Sequence, residues 1–111
     1  MKVELSTWQR LMLTQLVGEQ RGPVSVIRKA SKLLDTLEMT NEENFEIGLV
    51  QDAQVGFTWQ DNEKRWELEI PGGLVPFLQD VVKNHDAWSA RFYGEVLDLF
   101  EQLEIEEEEI A

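Results

Sequence analysis

Apolar residues recur along this chain with two periods, and the switch between them separates its helices from its strands. Trp8, Leu11, Met12 and Leu16 follow the capping-box pattern Ser6-x-x-Gln9 at helical spacing, predicting a first helix from about Thr7 to Gln20. Gly22-Pro23 ends it. Pro23 fits the first turn of a second helix, whose face would be Val24, Ile27, Leu34 and Leu37 while Arg28, Lys29 and Lys32 lie mostly off it. These two would form a helical hairpin. Thr40-x-x-Glu43 is another capping box and predicts a short helix that Gly48 closes in the left-handed conformation.

The period then falls to two. Val55, Phe57 and Trp59 precede Asp61-Asn62-Glu63-Lys64, after which Trp66, Leu68 and Ile70 alternate with Arg65, Glu67 and Glu69. A β-hairpin in which Gln60 pairs with Arg65 would set Trp59 opposite Trp66, Phe57 opposite Leu68 and Val55 opposite Ile70. All six apolar side chains would then share one face, so burial of that face would fix the register. A lone hairpin is only marginally stable in water, which requires this face to pack on helices or on another chain.

Pro71-Gly72-Gly73 breaks the strand. Leu74, Val75, Leu78, Val81 and Val82 predict a third long helix ending near Asn84, with Pro76 tolerated in its first turn. A last helix begins between Asp86 and Ser89 and carries Phe92, Val96, Leu99 and Leu103 as an apolar stripe. Residues 104–111 read as an acidic tail that frays unless a base lies nearby, because a helix dipole disfavours acids at its C-terminal end. The predicted fold class is α+β: mainly helical, with a helical hairpin plus a short helix, one β-hairpin, then two C-terminal helices. No repeat or linker divides residues 1–111, so a single domain is expected.

Composition changes this picture through charge. Residues 1–34 carry six bases against two acids, while the remainder carries four bases against twenty acids, giving −12 for the chain. Such a surface repels nucleic acid and anionic lipid and favours basic partners or the chain's own basic segment. At 42% apolar residues a packed core is within reach in spite of the charge. There is no cysteine, which excludes disulfides and thiol chemistry and fits a reducing cytoplasm. Glu4 interrupts the place where a signal peptide would need an apolar run, and no uncharged stretch nears the ~18 residues of a spanning helix. A soluble cytoplasmic protein with no membrane association is expected.

Catalytic chemistry finds little purchase. His85 is the sole histidine, so there is neither a zinc-ligand cluster nor a base for a nucleophile, and a helix-end role suffices for it. The carboxylate pairs Glu42/Glu46 and Asp35/Glu38 lie at helical spacing that a divalent cation or acid–base chemistry could use, though a solvated face also explains them. No phosphate-binding glycine motif or nucleophile elbow occurs. The expectation is a protein that is not an enzyme and uses no cofactor or metal.

Candidate interaction residues are of two kinds. Arg21, Arg28, Lys29 and Lys32 form the one basic cluster, and four tryptophans, Trp8, Trp59, Trp66 and Trp88, exceed what a core of this size needs. Trp59, Trp66 and Trp88 join the basic cluster as candidates for contact with a protein partner or a second copy.

Three helices followed by a hairpin resemble a winged-helix DNA-binding domain. In that family the third helix enters the major groove, but here Asn41 to Gly48 carries Glu42, Glu43 and Glu46 and no base, which phosphates would repel. The compact chain and its opening Leu5-Ser6-Thr7-Trp8-Gln9-Arg10-Leu11 also resemble small uncharacterised proteins of bacteriophages and prophages. That likeness implies no activity or site residue. The resulting expectation is a non-catalytic, acidic protein-binding or assembly protein, related in style to phage proteins. The alternative is a regulatory factor, either an acidic decoy of nucleic acid or a winged-helix-like DNA-associated protein. If the last helix needs a base, its side-by-side neighbour should be the basic helical hairpin.

Overall fold

The computed structural model describes residues 1–52, 56–60 and 64–105. It opens with a strand, β1 (Lys2–Ser6), that the sequence reading did not include. Val3 and Leu5 point into the core while Lys2 and Glu4 face solvent, so even these five residues have period two. Ser6 ends the strand and caps the helix that follows, α1 (Thr7–Gly18). Its hydroxyl accepts from the Gln9 N–H at 3.2 Å and the Gln9 side chain accepts from the Ser6 N–H at 2.8 Å.

Strand pairing differs from the expected register. Strands β2 (Val50–Asp52) and β3 (Gly56–Thr58) form the hairpin, with Val50 opposite Thr58. The other apolar strand, β4 (Arg65–Glu69), pairs antiparallel with β1, so Trp66 faces Leu5 and Leu68 faces Val3. Trp59 is in neither sheet. The physical reason lies at Gln60, whose N–H donates to the Ile47 carbonyl at 2.8 Å and draws the chain toward the end of the third helix rather than along β4. Meanwhile β1 offers β4 two fully buried partners, and the N-terminal ammonium donates to the Ile70 carbonyl at 2.8 Å. The expected Val55–Ile70 pair and the turn residues 61–63 involve positions outside the described residues.

The helical hairpin of α1 and α2 (Val24–Leu37) is present, but α2 is rotated from its expected face. Ala30, Leu33 and Leu37 are buried, whereas Val24 and Ile27 are exposed. The short helix α3 (Asn41–Glu46) begins with the Thr40/Glu43 capping box. It ends as expected on Gly48 at φ +62°, with the Gly48 N–H on Phe45 O and the Leu49 N–H on Asn44 O. Helix α4 (Val75–Asn84) buries Leu78, Val81 and Val82, and α5 (Tyr93–Gln102) buries Val96 and Leu99. Leu78, Val81, Val82 and Leu99 join Leu5, Leu13, Leu33 and Ile70 in one core. No helix among the described residues is long and apolar enough to cross a membrane.

Helix α5 packs chiefly on β1 and α1, so it meets one member of the helical hairpin. Its charges do not meet the basic cluster: Arg21, Arg28, Lys29 and Lys32 form no ion pair among the described residues. The helix also stops before the acidic run. The Glu104 N–H donates to Glu101 O and the Ile105 N–H to Phe100 O, which satisfies the last carbonyls and places Glu104 at φ +57°. A side chain with a Cβ is strained there by about 1–2 kcal/mol, so Glu104→Gly should raise stability by up to about 1 kcal/mol in thermal or urea unfolding. Residues 106–111, most of the expected fraying tail, lie outside the described residues.

Candidate functional site

Two polar networks hold the elements that surround the site. In the first, Arg10 is buried at 3% exposure, with its guanidinium on the Leu37 carbonyl at 2.8 Å, the Glu38 carbonyl at 3.0 Å and both Glu43 oxygens at 2.8 and 3.2 Å. One side chain thus closes the C-terminus of α2 and fastens the start of α3 to α1. The Arg10 guanidinium holds the Glu43 carboxyl below the usual carboxylate range. Arg10 also lies over the Trp66 ring at 5.1 Å, with the Lys64 ammonium 4.3 Å from the same ring. The Trp66 indole N–H donates to Thr7 Oγ1 at 2.9 Å. Trp66, expected as a partner-contact residue, is therefore a buried core residue.

The second network centres on Asp98, which accepts from Gln9 at 2.9 Å, Arg65 at 3.0 Å and Gln102 at 3.0 Å. Burial works against its ionisation, but these bonds together outweigh that and hold the carboxyl below the usual range. The Gln102 amide meanwhile grips the outer edge of β1, accepting from the Glu4 N–H at 2.7 Å and donating back to the Glu4 carbonyl. With that edge position occupied, α5 is locked beside α1 and β1.

A groove runs along α1. Helix α1 is apolar on two sides: Leu13, Leu16 and Val17 enter the core, Trp8 and Leu11 lie on the other side, and Met12 stands between the two sets, partly packed against the core. Trp8, Leu11, Met12, Gln15, Trp59 and Phe92 line a hollow of about 260 Å³. Phe92 stacks on Trp8 with centroids 4.5 Å apart and planes at 17°. Trp8 and Trp59 also border an adjoining hollow of about 280 Å³ lined by Ser6, Thr7, Lys64, Arg65 and Glu95. The apolar hollow contains no ionisable group, whereas its neighbour carries both signs of charge.

Trp88 supports the groove from behind, 6.5 Å from Trp8 and edge-on to His85 at 4.5 Å. Its indole nitrogen is buried without a partner among the described residues. The basic cluster is split by the fold. Arg28, Lys29 and Lys32 share a hollow with Pro71, Gly73 and Leu74, while Arg21 borders a different cleft with Glu19, Asp80, His85 and Asp86. Glu42 and Glu46 are both exposed on α3, with Glu46 paired to Lys64. Among the described residues no group of three or more His, Asp or Glu is arranged to hold a metal.

Of the tryptophans expected as partner contacts, Trp59 lines the hollow and Trp88 packs behind Trp8, and the residues read from the sequence as apolar helix faces, Trp8, Leu11, Met12 and Phe92, complete the hollow's lining. The available signal was the second apolar stripe on α1, since Leu13 and Val17 already supply a complete buried face. No family model, curated protein or solved structure matches this chain.

Proposed function

We propose that this chain is a non-catalytic, cytoplasmic binding protein whose groove receives an apolar or aromatic side chain from a protein partner. The observation that carries this reading is the pair of half-buried indoles, Trp8 and Trp59, bordering a hollow that offers apolar surface and a single amide. Indole and methionine side chains bind apolar anchors with large contact area, and such residues dominate binding energy at protein interfaces. The adjoining Lys64, Arg65 and Glu95 then set orientation through polar contacts at the rim. Acids at Glu42 and Glu46 on the exposed side of α3 weigh against the winged-helix alternative, because that is the helix a duplex would have to approach.

Selection from a random peptide library tests the reading, with binding followed by tryptophan fluorescence. Recovered peptides should share an apolar or aromatic anchor, and Leu11→Asp or Trp59→Ser should weaken them at least about tenfold while leaving the melting temperature near that of the parent. Peptides that bind both variants as well as the parent would place recognition elsewhere and reject the groove.

A further inference from the structure

Two exposed faces elsewhere on the molecule are complementary to each other. On α2, Val24, Ile27, Arg28, Ser31 and Lys32 fall at helical spacing on the side opposite buried Leu33. Val24 is 73% and Ile27 44% exposed, and Arg28 and Lys32 make no ion pair among the described residues. Asp35 is the one acid on that stripe. On α3, Asn41, Glu42, Phe45 and Glu46 share the side opposite Glu43, and Phe45 is 89% exposed. Val50, at the start of β2, is 58% exposed.

The exposed large apolar side chains among the described residues are Val24, Ile27, Phe45, Val50, Phe92 and Tyr93; the first two lie on the α2 face, Phe45 lies on the α3 face, and Val50 follows α3 by four residues. The α2 face therefore joins two solvent-facing apolar side chains to two bases and one acid, a net positive charge, and the α3 face joins the exposed Phe45 to the acids Glu42 and Glu46. They cannot meet within one chain, because α2 and α3 are consecutive, held end to end by Arg10 on Leu37, Glu38 and Glu43.

We infer that the α2 face of one copy docks on the α3 face of another, joining copies head to tail. Val24 and Ile27 cover Phe45 and Val50, while Arg28 and Lys32 meet Glu42 and the half-paired Glu46. A contact between different patches is heterologous, so it extends into longer assemblies or closes into a ring. The net charge of −12 opposes association at long range, but at physiological salt this repulsion is screened beyond about 8 Å while contact pairs are not. The inference is independent of the groove, which uses other residues.

Sedimentation analysis of the full chain, with two charge-reversed variants, tests it. The parent should show mass above the monomer that rises with concentration. Arg28→Glu/Lys32→Glu makes both faces acidic, and Asn41→Lys/Glu42→Lys makes the α3 face basic like its target. Each variant alone should be monomeric at concentrations where the parent associates, and mixing the two should restore association to within about tenfold of the parent. All four positions are exposed, so circular dichroism and melting should match the parent. Leu11→Asp, which blocks the groove, should leave the mass unchanged. A monomeric parent at every concentration overturns the inference, as does association that survives either reversal or a mixture that stays monomeric.

Discussion

Arg10→Ala is expected to cost about 3–5 kcal/mol, a large share of the roughly 5–15 kcal/mol that holds a domain of this size together. The cause is the set of groups left behind. Without the guanidinium, the Leu37 and Glu38 carbonyls lose donors at the end of α2, and the Glu43 carboxylate loses its two bonds to Arg10 and keeps the one from the Thr40 N–H. The face of Trp66 is uncovered as well. A melting temperature lower by on the order of 10–20 °C follows. Arg10→Lys should recover only part of the loss, because an ammonium cannot serve two carbonyls and a carboxylate in one plane.

The same pair fixes the acid response. The Glu43 carboxyl has a lower pKa folded than unfolded, so in acid the unfolded state binds the extra proton. Its contribution is complete above the ordinary carboxylate range and is lost as pH falls through the depressed folded value. The gap between parent and Arg10→Ala melting temperatures should therefore narrow as pH falls below about 4, down to the part carried by the Leu37 and Glu38 carbonyls and the Trp66 face. An Arg10→Ala protein that melts within about 2 °C of the parent at neutral pH would show that this network contributes little.

The places where sequence reasoning succeeded and failed share a physical logic. Both capping boxes, the Gly48 closure and the boundaries of α4 were legible because each is decided within four or five residues by a specific hydrogen bond or backbone preference. Strand partners were not. Alternation at Trp66, Leu68 and Ile70 states which side is buried, but it is equally satisfied by Phe57 and Trp59 or by Val3 and Leu5. The choice was made by distant contacts, the Gln60 bond to Ile47 and the N-terminal bond to Ile70, which no local pattern contains.

The groove failed for a related reason. Helical spacing on α1 is satisfied by Trp8, Leu11 and Met12 and by Leu13, Leu16 and Val17, and only packing decides which set is enclosed. Arg10 is a harder case, since a base is the residue type least expected in a core. Its burial follows from where α2 ends, and the C-terminal carbonyls of a helix are a site that a guanidinium can fill.

The stripe on α5 gives the second large expected effect, because Leu99 is fully enclosed and belongs to the apolar core cluster. Leu99→Ala should cost about 2–5 kcal/mol through lost burial and the cavity left behind. Leu99→Asp should leave no cooperative melting transition near neutral pH, since it would bury a carboxylate within an apolar cluster while Arg65, on the neighbouring Asp98, is already paired. Tyr93→Ser, on the exposed side of the same helix at 64% exposure, should stay within about 0.5 kcal/mol of the parent. Removal of residues 106–111 should also be tolerated, because the bonds at Glu104 and Ile105 already close the helix. Thermal melting of these four proteins, alongside sedimentation, separates packing from charge. Equal losses for Leu99→Asp and Tyr93→Ser would mean that α5 is not seated on β1 and α1, and the Asp98 and Gln102 bonds would then have no helix to lock.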